Sequence, residues 1–103
     1  MADRITTEYK RKLEELMDGY YKHVPFFNRH YIGEKMYLLD NGNVFHIDII
    51  SSGRLCIEYA DSSENADRLT LEDGDSFYIE DHKDVEAMLK HMLEEIAQRD
   101  TAE

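Results

Sequence analysis

The chain has 103 residues, of which 42% are apolar and 34% are charged. These values are typical of one globular domain, and the length is too short for two domains of ordinary size. The formal net charge of −11 disfavours direct binding to nucleic acid or to anionic lipid, because both require lysine and arginine. We therefore predict a single domain over residues 1–103.

No apolar run approaches the roughly 18 residues that a membrane span requires. The start, Met1-Ala2-Asp3-Arg4, lacks the apolar segment of a signal peptide. The one cysteine, Cys56, has no second thiol for an internal disulfide, whereas small secreted domains usually carry paired cysteines. These features predict a cytoplasmic protein without membrane association, and they leave the role of Cys56 open.

Apolar residues at helical spacing predict a first helix from residue 5 to about residue 24. They are Ile5, Tyr9, Leu13, Leu16, Met17, Tyr20 and Val24. Asp3 is suited to be the N-cap, because its carboxylate can accept a hydrogen bond from the first turn. Pro25 stops the helix, and Gly19 offers an earlier end.

A second helix is predicted over about residues 82–98 by an apolar stripe at helical spacing. The stripe consists of Val85, Met88, Leu89, Met92, Leu93 and Ile96. Asp81 or Asp84 is the predicted cap. The outer face carries two opposite-charge pairs four residues apart, Glu86–Lys90 and Glu95–Arg99.

Between the helices the apolar period changes to two, which indicates strands. Asn41-Gly42 predicts a two-residue type I′ hairpin loop, because both residues tolerate a positive φ. This loop pairs Leu38 with Phe45 and Met36 with Ile47.

A second hairpin is predicted at Ser51-Ser52-Gly53, with Gly53 in the left-handed conformation of a three-residue loop. It pairs Ile49 with Leu55, Ile47 with Ile57 and Phe45 with Tyr59. A shorter loop would split the apolar face of the sheet, so we reject it. Together the hairpins predict one buried face, made of Met36, Leu38, Phe45, Ile47, Ile49, Leu55, Ile57 and Tyr59.

The segment from residue 61 to residue 79 contains the remaining predicted strands. Residues 61–68 are polar and indicate a loop. Alternating apolar residues on either side of a turn at residues 73–75 predict a short fourth strand at Leu69 and Leu71 and a fifth at Phe77 and Ile79. The predicted fold is an α+β two-layer sandwich in the order α-β-β-β-(β)-β-α. Its antiparallel meander of four or five strands carries both helices on one face.

The excess negative charge lies in the second part of the chain, since residues 40–103 contain 17 acids and five bases. One interpretation of this excess is a solvated surface that only keeps the protein soluble. The alternative, functional interpretation is a surface that binds a basic partner. Its candidate residues are Glu58, Asp61, Glu64, Asp67, Glu72, Asp73, Asp75 and Glu80.

The leading functional prediction is a non-enzymatic protein-interaction module that uses these acids. In its strongest form the module imitates nucleic acid and blocks the basic groove of a nucleic-acid-binding protein, as phage or plasmid inhibitors of nucleases do. No motif ties this chain to them. The alternative is a homodimeric or adaptor domain that uses the exposed sheet face, with acidity serving solubility only. That face would present Tyr37, Leu39, Val44, His46 and Ile50.

An enzymatic hypothesis rests on the predicted register, which places His46 beside Glu58 and Cys56 diagonal to His46. An open sheet offers no water exclusion and no oxyanion hole, so we predict no catalytic residue.

Metal and cofactor sites are not predicted either. The five histidines show neither an i, i+4 pair nor a cysteine at zinc spacing. An EF-hand-like ladder from Asp61 has Ala66 where glycine is needed. The isolated glycines form no phosphate-binding loop.

Overall fold

The computed structural model describes residues 3–24, 35–60 and 72–101. The elements are helix α1 (Arg4–Met17), strands β1 (His23–Val24), β2 (Met36–Leu38), β3 (Val44–Ser51), β4 (Arg54–Ala60) and β5 (Glu72–Tyr78), a 3₁₀ turn (Ile79–Asp81) and helix α2 (Val85–Thr101). The five strands form one antiparallel sheet in the order β1-β2-β3-β4-β5. The predicted α+β meander with a helix at each end is therefore confirmed. The predicted loop at 61–68 and the strand at Leu69 and Leu71 lie outside the described residues.

Helix α1 begins where the sequence predicts and ends earlier. The Asp3 carboxylate accepts a hydrogen bond of 2.7 Å from the Thr6 backbone N–H, and this bond lowers the pKa of Asp3. Asp3 is therefore the N-cap, as predicted. The helix ends at Met17 and not near residue 24, because the chain turns through Asp18 and Gly19. Residues 23 and 24, which the helical pattern assigned to the helix, form strand β1 instead.

The buried face of α1 also differs from the predicted stripe. Leu13 and Met17 are buried as expected, but Ile5 is 71% exposed. Thr6 is buried in its place, because its hydroxyl accepts a hydrogen bond of 2.7 Å from the Gly53 backbone N–H. This contact with the β3–β4 turn fixes the rotation of the helix, so a satisfied polar side chain takes an inward position.

The β3–β4 hairpin has the predicted register from Phe45 to Ile49, but the predicted three-residue loop is wrong. Ser51 lies opposite Arg54, so the loop contains only Ser52 and Gly53, and a register shift between Ile49 and Ser51 keeps the apolar face together. Phe45 lies opposite Tyr59, Ile47 opposite Ile57 and Ile49 opposite Leu55. Gly53 has a φ of 76°, which is the left-handed conformation that the turn requires. Ile47 and Ile57 are fully buried, so the central part of the predicted apolar face is confirmed.

The β2–β3 hairpin differs from the prediction by one residue. Leu39 donates its backbone N–H to the Asn43 carbonyl, so the loop contains three residues, Asp40 to Gly42. Only Gly42 in this loop has a positive φ, and a type I′ turn would require a second one at Asn41. The Asp100 carboxylate holds the alternative turn by accepting hydrogen bonds from the backbone N–H groups of Asp40 and Asn41.

This shift turns the side chains of β2 over. Tyr37 now lies opposite Phe45, and their rings stack with centroids 5.2 Å apart. Tyr37 and Leu39 are buried in the core beneath the helices, so the prediction that Met36 and Leu38 face the helices is wrong. The Tyr37 hydroxyl remains satisfied because it donates to Asp18 or to the Glu14 carbonyl, at 3.0 and 3.1 Å.

Strand β5 occupies the segment in which a turn is predicted. Residues 72–78 pair with β4, with Phe77 opposite Leu55 and Asp73 opposite Glu58. The pairing shifts register between Cys56 and Glu58, so a bulge replaces the predicted turn at residues 73–75. Gly74 allows this approach: a Cβ added there would lie 2.9 Å from the Tyr59 ring and 3.0 Å from the Ile57 carbonyl oxygen.

Gly74→Ala tests that close approach. We expect the added methyl group to lower the free energy of unfolding by about 1–3 kcal/mol, because it would press on the Glu95 carboxylate at 2.7 Å and on the Tyr59 ring as well as on the Ile57 carbonyl oxygen. Asp73→Ala is the control, since that side chain is exposed on the same strand. Equal urea midpoints for the two variants would contradict the role assigned to Gly74.

Helix α2 follows its prediction closely, although it begins at Val85 and continues to Thr101. The Asp84 carboxylate accepts a hydrogen bond of 2.9 Å from the Ala87 N–H, which identifies Asp84 as the cap. The predicted inward residues Met88, Leu89, Met92 and Ile96 are buried. They join Leu13 and Met17 of α1 and the inner sheet residues in one core, so both helices cover the same face.

Candidate acidic interface

Three of the eight predicted acidic residues have exposed side chains that the structure describes: Asp73 and Asp75 on β5, and Glu80 in the 3₁₀ turn. Asp61, Glu64 and Asp67 lie outside the described residues. Glu72 begins β5, and only its backbone is described. Glu58 belongs to a different environment, because its carboxylate accepts a hydrogen bond from a buried histidine.

The structure adds further exposed acids around these three. The resulting set is called the acidic surface below and consists of Asp73, Asp75, Glu80, Asp81, Asp84, Glu86 and Glu94. Residues 72–101 contain ten acids and three bases, a net charge of −7. Within the described ranges no lysine or arginine forms an ion pair with Glu80, Asp81 or Glu86, so the predicted Glu86–Lys90 pair is not formed. The negative charge of these side chains is therefore directed to solvent.

A hydrogen-bond network joins β5 to α2 beneath the acidic surface. The Glu95 carboxylate accepts the Tyr59 hydroxyl at 2.6 Å and the Asp75 backbone N–H at 2.7 Å. Burial raises the pKa of Tyr59, and the hydrogen bond to Glu95 raises it further. The Arg99 guanidinium lies 4.5 Å from the centre of the Tyr59 ring. Sequence reasoning placed Glu95 on the outer face of α2 and so missed this role.

The acidic residues of β5 can also protect the sheet from pairing with other chains, because β5 lies at one end of the strand order. Asp73 and Asp75 lie on this strand. Charged side chains on an edge strand discourage pairing with other chains. The acids of β5 can therefore protect the edge, whereas those of the 3₁₀ turn and α2 have no such edge to protect.

The predicted contact patch on the sheet face is largely buried. Tyr37 and Leu39 lie in the core on the helix side, and Val44 and His46 are 1% and 0% exposed on the opposite face. Ile50, with 43% exposure, is the one member of the patch whose side chain reaches solvent. The expectation of an open, wet sheet face is therefore wrong for the centre of the sheet.

A polar pair is buried on this opposite face. His46 lies across from Glu58, as the register predicts, and its Nε2 donates a hydrogen bond of 2.7 Å to the Glu58 carboxylate. Cys56 lies across from Asp48 and is also buried. Burial raises the pKa of the Cys56 thiol to about 12, and the nearby carboxylates of Glu58 and Asp48 add to the effect. The thiolate that a nucleophile requires is therefore disfavoured.

Thiol reactivity checks this description of Cys56. At pH 7.5 we expect iodoacetamide to alkylate the native protein at least about a hundredfold more slowly than the urea-unfolded chain, because so little thiolate forms in the fold. Mass spectrometry of quenched samples gives both rates. Comparable rates in the two states would show that Cys56 is accessible and ionised, contrary to its burial.

Within the described residues, neither helix combines the length and the apolar character needed to cross a membrane. Comparison with protein-family models, with curated proteins and with solved structures found no match.

Proposed function

We propose that this chain is a non-enzymatic acidic protein-interaction module whose acidic surface binds a basic partner protein. The observation that carries the proposal is the set of exposed carboxylates on β5, the 3₁₀ turn and α2, in a segment with ten acids and three bases. Such a concentration of one sign steers a partner of the opposite sign and orients it before contact.

The scaffold beneath the acids favours binding over a purely solubilising role. Glu95 connects Tyr59 on β4, the backbone of Asp75 on β5 and its own helix α2. Because β5 and α2 are joined in this way, the backbones that carry their acidic residues keep a fixed spacing, which lowers the ordering cost of binding. Solubility alone would need no such fixed arrangement.

We further propose that the basic partner is a nucleic-acid-binding protein and that the acidic surface occupies its groove in place of phosphates. A groove built for phosphates presents lysine and arginine, which complement a net charge of −7 over residues 72–101. The alternative dimer or adaptor surface is not proposed, because four of its five residues are buried.

The test is charge reversal with a matched control. Asp73→Lys, Asp75→Lys and Glu80→Lys are combined in one variant, and Glu8→Lys, Glu15→Lys and Asp40→Lys in another. Both sets replace three exposed acids, so the net charge changes equally. We expect the first variant to bind a partner purified from the native cells more than tenfold more weakly, a loss of over about 1.4 kcal/mol. The second variant should bind within a few-fold of the parent chain.

Salt and competition complete the experiment. Affinity for the same partner should fall steeply between low and physiological salt, because screening acts over about 8–10 Å. Double-stranded DNA or RNA should displace the chain from the partner if the two share a groove. Equal binding by both Lys variants would overturn the acidic interface, and failure of nucleic acid to compete would overturn the imitation of phosphates.

A further inference from the structure

Two histidines that are nine positions apart in the sequence meet at the surface beside α2. The Nε2 atom of His82 and the Nδ1 atom of His91 are 3.1 Å apart, and their ring centroids are 5.3 Å apart. His82 follows the 3₁₀ turn, whereas His91 lies on α2. His91 is exposed and His82 is half-buried, so solvent reaches the pair.

The ring of His82 is held in a defined orientation. Its Nδ1 lies 2.7 Å from the Tyr78 carbonyl oxygen. Because a carbonyl oxygen only accepts, Nδ1 carries the proton, and in the neutral ring the lone pair lies on Nε2, which faces His91. A second ring nitrogen that donates to a backbone carbonyl is the arrangement that orients histidine ligands in metal sites.

His91 is supported from the core side. Its ring meets the buried Phe77 ring edge-on, with centroids 4.9 Å apart. Phe77 lies on β5 and is 1% exposed. The two imidazoles therefore rest on a packed base and present their facing nitrogens at the surface.

The distance between these nitrogens matches two ligands of one metal ion. Two nitrogens each about 2.0–2.1 Å from a shared Zn²⁺ lie about 2.9–3.4 Å apart for bond angles of roughly 90–110°. Imidazole nitrogens suit Zn²⁺, Cu²⁺ and Ni²⁺, whereas Mg²⁺ and Ca²⁺ prefer oxygen. We propose that His82 and His91 form a two-histidine site for a divalent transition-metal ion.

Metal binding would replace the hydrogen bond between His82 and His91 with two coordination bonds to the ion. In the neutral pair, His91 Nδ1 donates its proton towards His82 Nε2. When the ion binds, that proton moves through solvent to the other nitrogen of His91, and both facing lone pairs coordinate the metal. Among the described residues no cluster of three or more metal-ligating side chains occurs, so the proposed site is assigned two protein ligands. The site does not depend on the proposed function, because it uses none of the acidic surface.

Zinc titration of the untagged, EDTA-treated protein tests the site. Calorimetry in excess Mg²⁺, which occupies carboxylates, should show one saturable Zn²⁺ site per chain. We expect His82→Ala and His91→Ala each to weaken it about tenfold or more, since each removes half of the protein ligands. His23→Ala is the matched control, because it removes another exposed histidine, and it should leave the affinity unchanged.

Nitrogen NMR of the imidazole rings identifies the ligands directly. Zn²⁺ should shift the signals of His82 Nε2 and His91 Nδ1 and leave those of His23 in place. His91→Gln, checked by circular dichroism, retains bulk on Phe77 and should still lose the site. Parent-like Zn²⁺ affinity in both alanine variants, or zinc-induced shifts confined to other histidines, would overturn the proposal.

Discussion

Phe45→Ala is expected to lower the free energy of unfolding by about 3–5 kcal/mol, because it removes a fully buried aromatic ring and leaves a cavity. The Phe45 ring stacks on Tyr37 and meets the Tyr21 ring edge-on at 5.3 Å. It also lies 6.3 Å from the Tyr59 ring, so β2, β4 and the segment after α1 share it as a neighbour. A loss of this size is a large fraction of the stability of an ordinary small domain.

Urea denaturation followed by circular dichroism measures the effect, with Ile50→Ala as the control. Ile50 lies on the same strand, but its side chain is 43% exposed. We expect its replacement to change stability by less than about 1 kcal/mol. Similar losses in the two variants would contradict a core centred on Phe45.

The central register of the β3–β4 hairpin was predictable from local signals, although the loop has two residues instead of the predicted three and a shift between Ile49 and Ser51 takes up the difference. Gly53 supplies the positive φ of the turn, and the alternation of apolar residues on both sides agrees with it. The β2–β3 hairpin has an equally strong local signal at Asn41-Gly42, yet its register differs. There a distant group decides, since Asp100 binds the backbone of Asp40 and Asn41. Local turn chemistry cannot report a partner some 60 positions away.

In β5, too, contacts with distant residues override the structure that the local sequence predicts. Asp73-Gly74-Asp75 has the composition of a turn, but pairing with β4 and contact with Glu95 hold the segment in a bulged strand. The bulge depends on the absence of a side chain at Gly74. From the sequence alone this glycine indicates a turn and not a close approach between strands. The acidic composition of the candidate site was evident from the sequence, whereas the Glu95 network and the His82–His91 pair required the fold.

The second large loss of stability is expected when the buried pair of His46 and Glu58, on the sheet face away from the helices, is broken. Glu58→Ala should lower the free energy of unfolding by about 2–3 kcal/mol, because it removes the carboxylate that accepts the His46 Nε2–H in a buried setting. His46 is fully buried, and the Glu58 side chain is only 14% exposed. Glu58→Gln retains an acceptor oxygen at the same place and should cost less than Glu58→Ala.

Glu80→Ala separates this effect from a general response to lost negative charge. It removes the same charge from an exposed position, so urea denaturation should show a change within about 0.5 kcal/mol of the parent chain. If Glu58→Ala were as stable as Glu80→Ala, Glu58 would act as one more surface acid available to a partner. If the loss is large and glutamine recovers part of it, then Glu58 stabilises the sheet and does not belong to the proposed interaction surface.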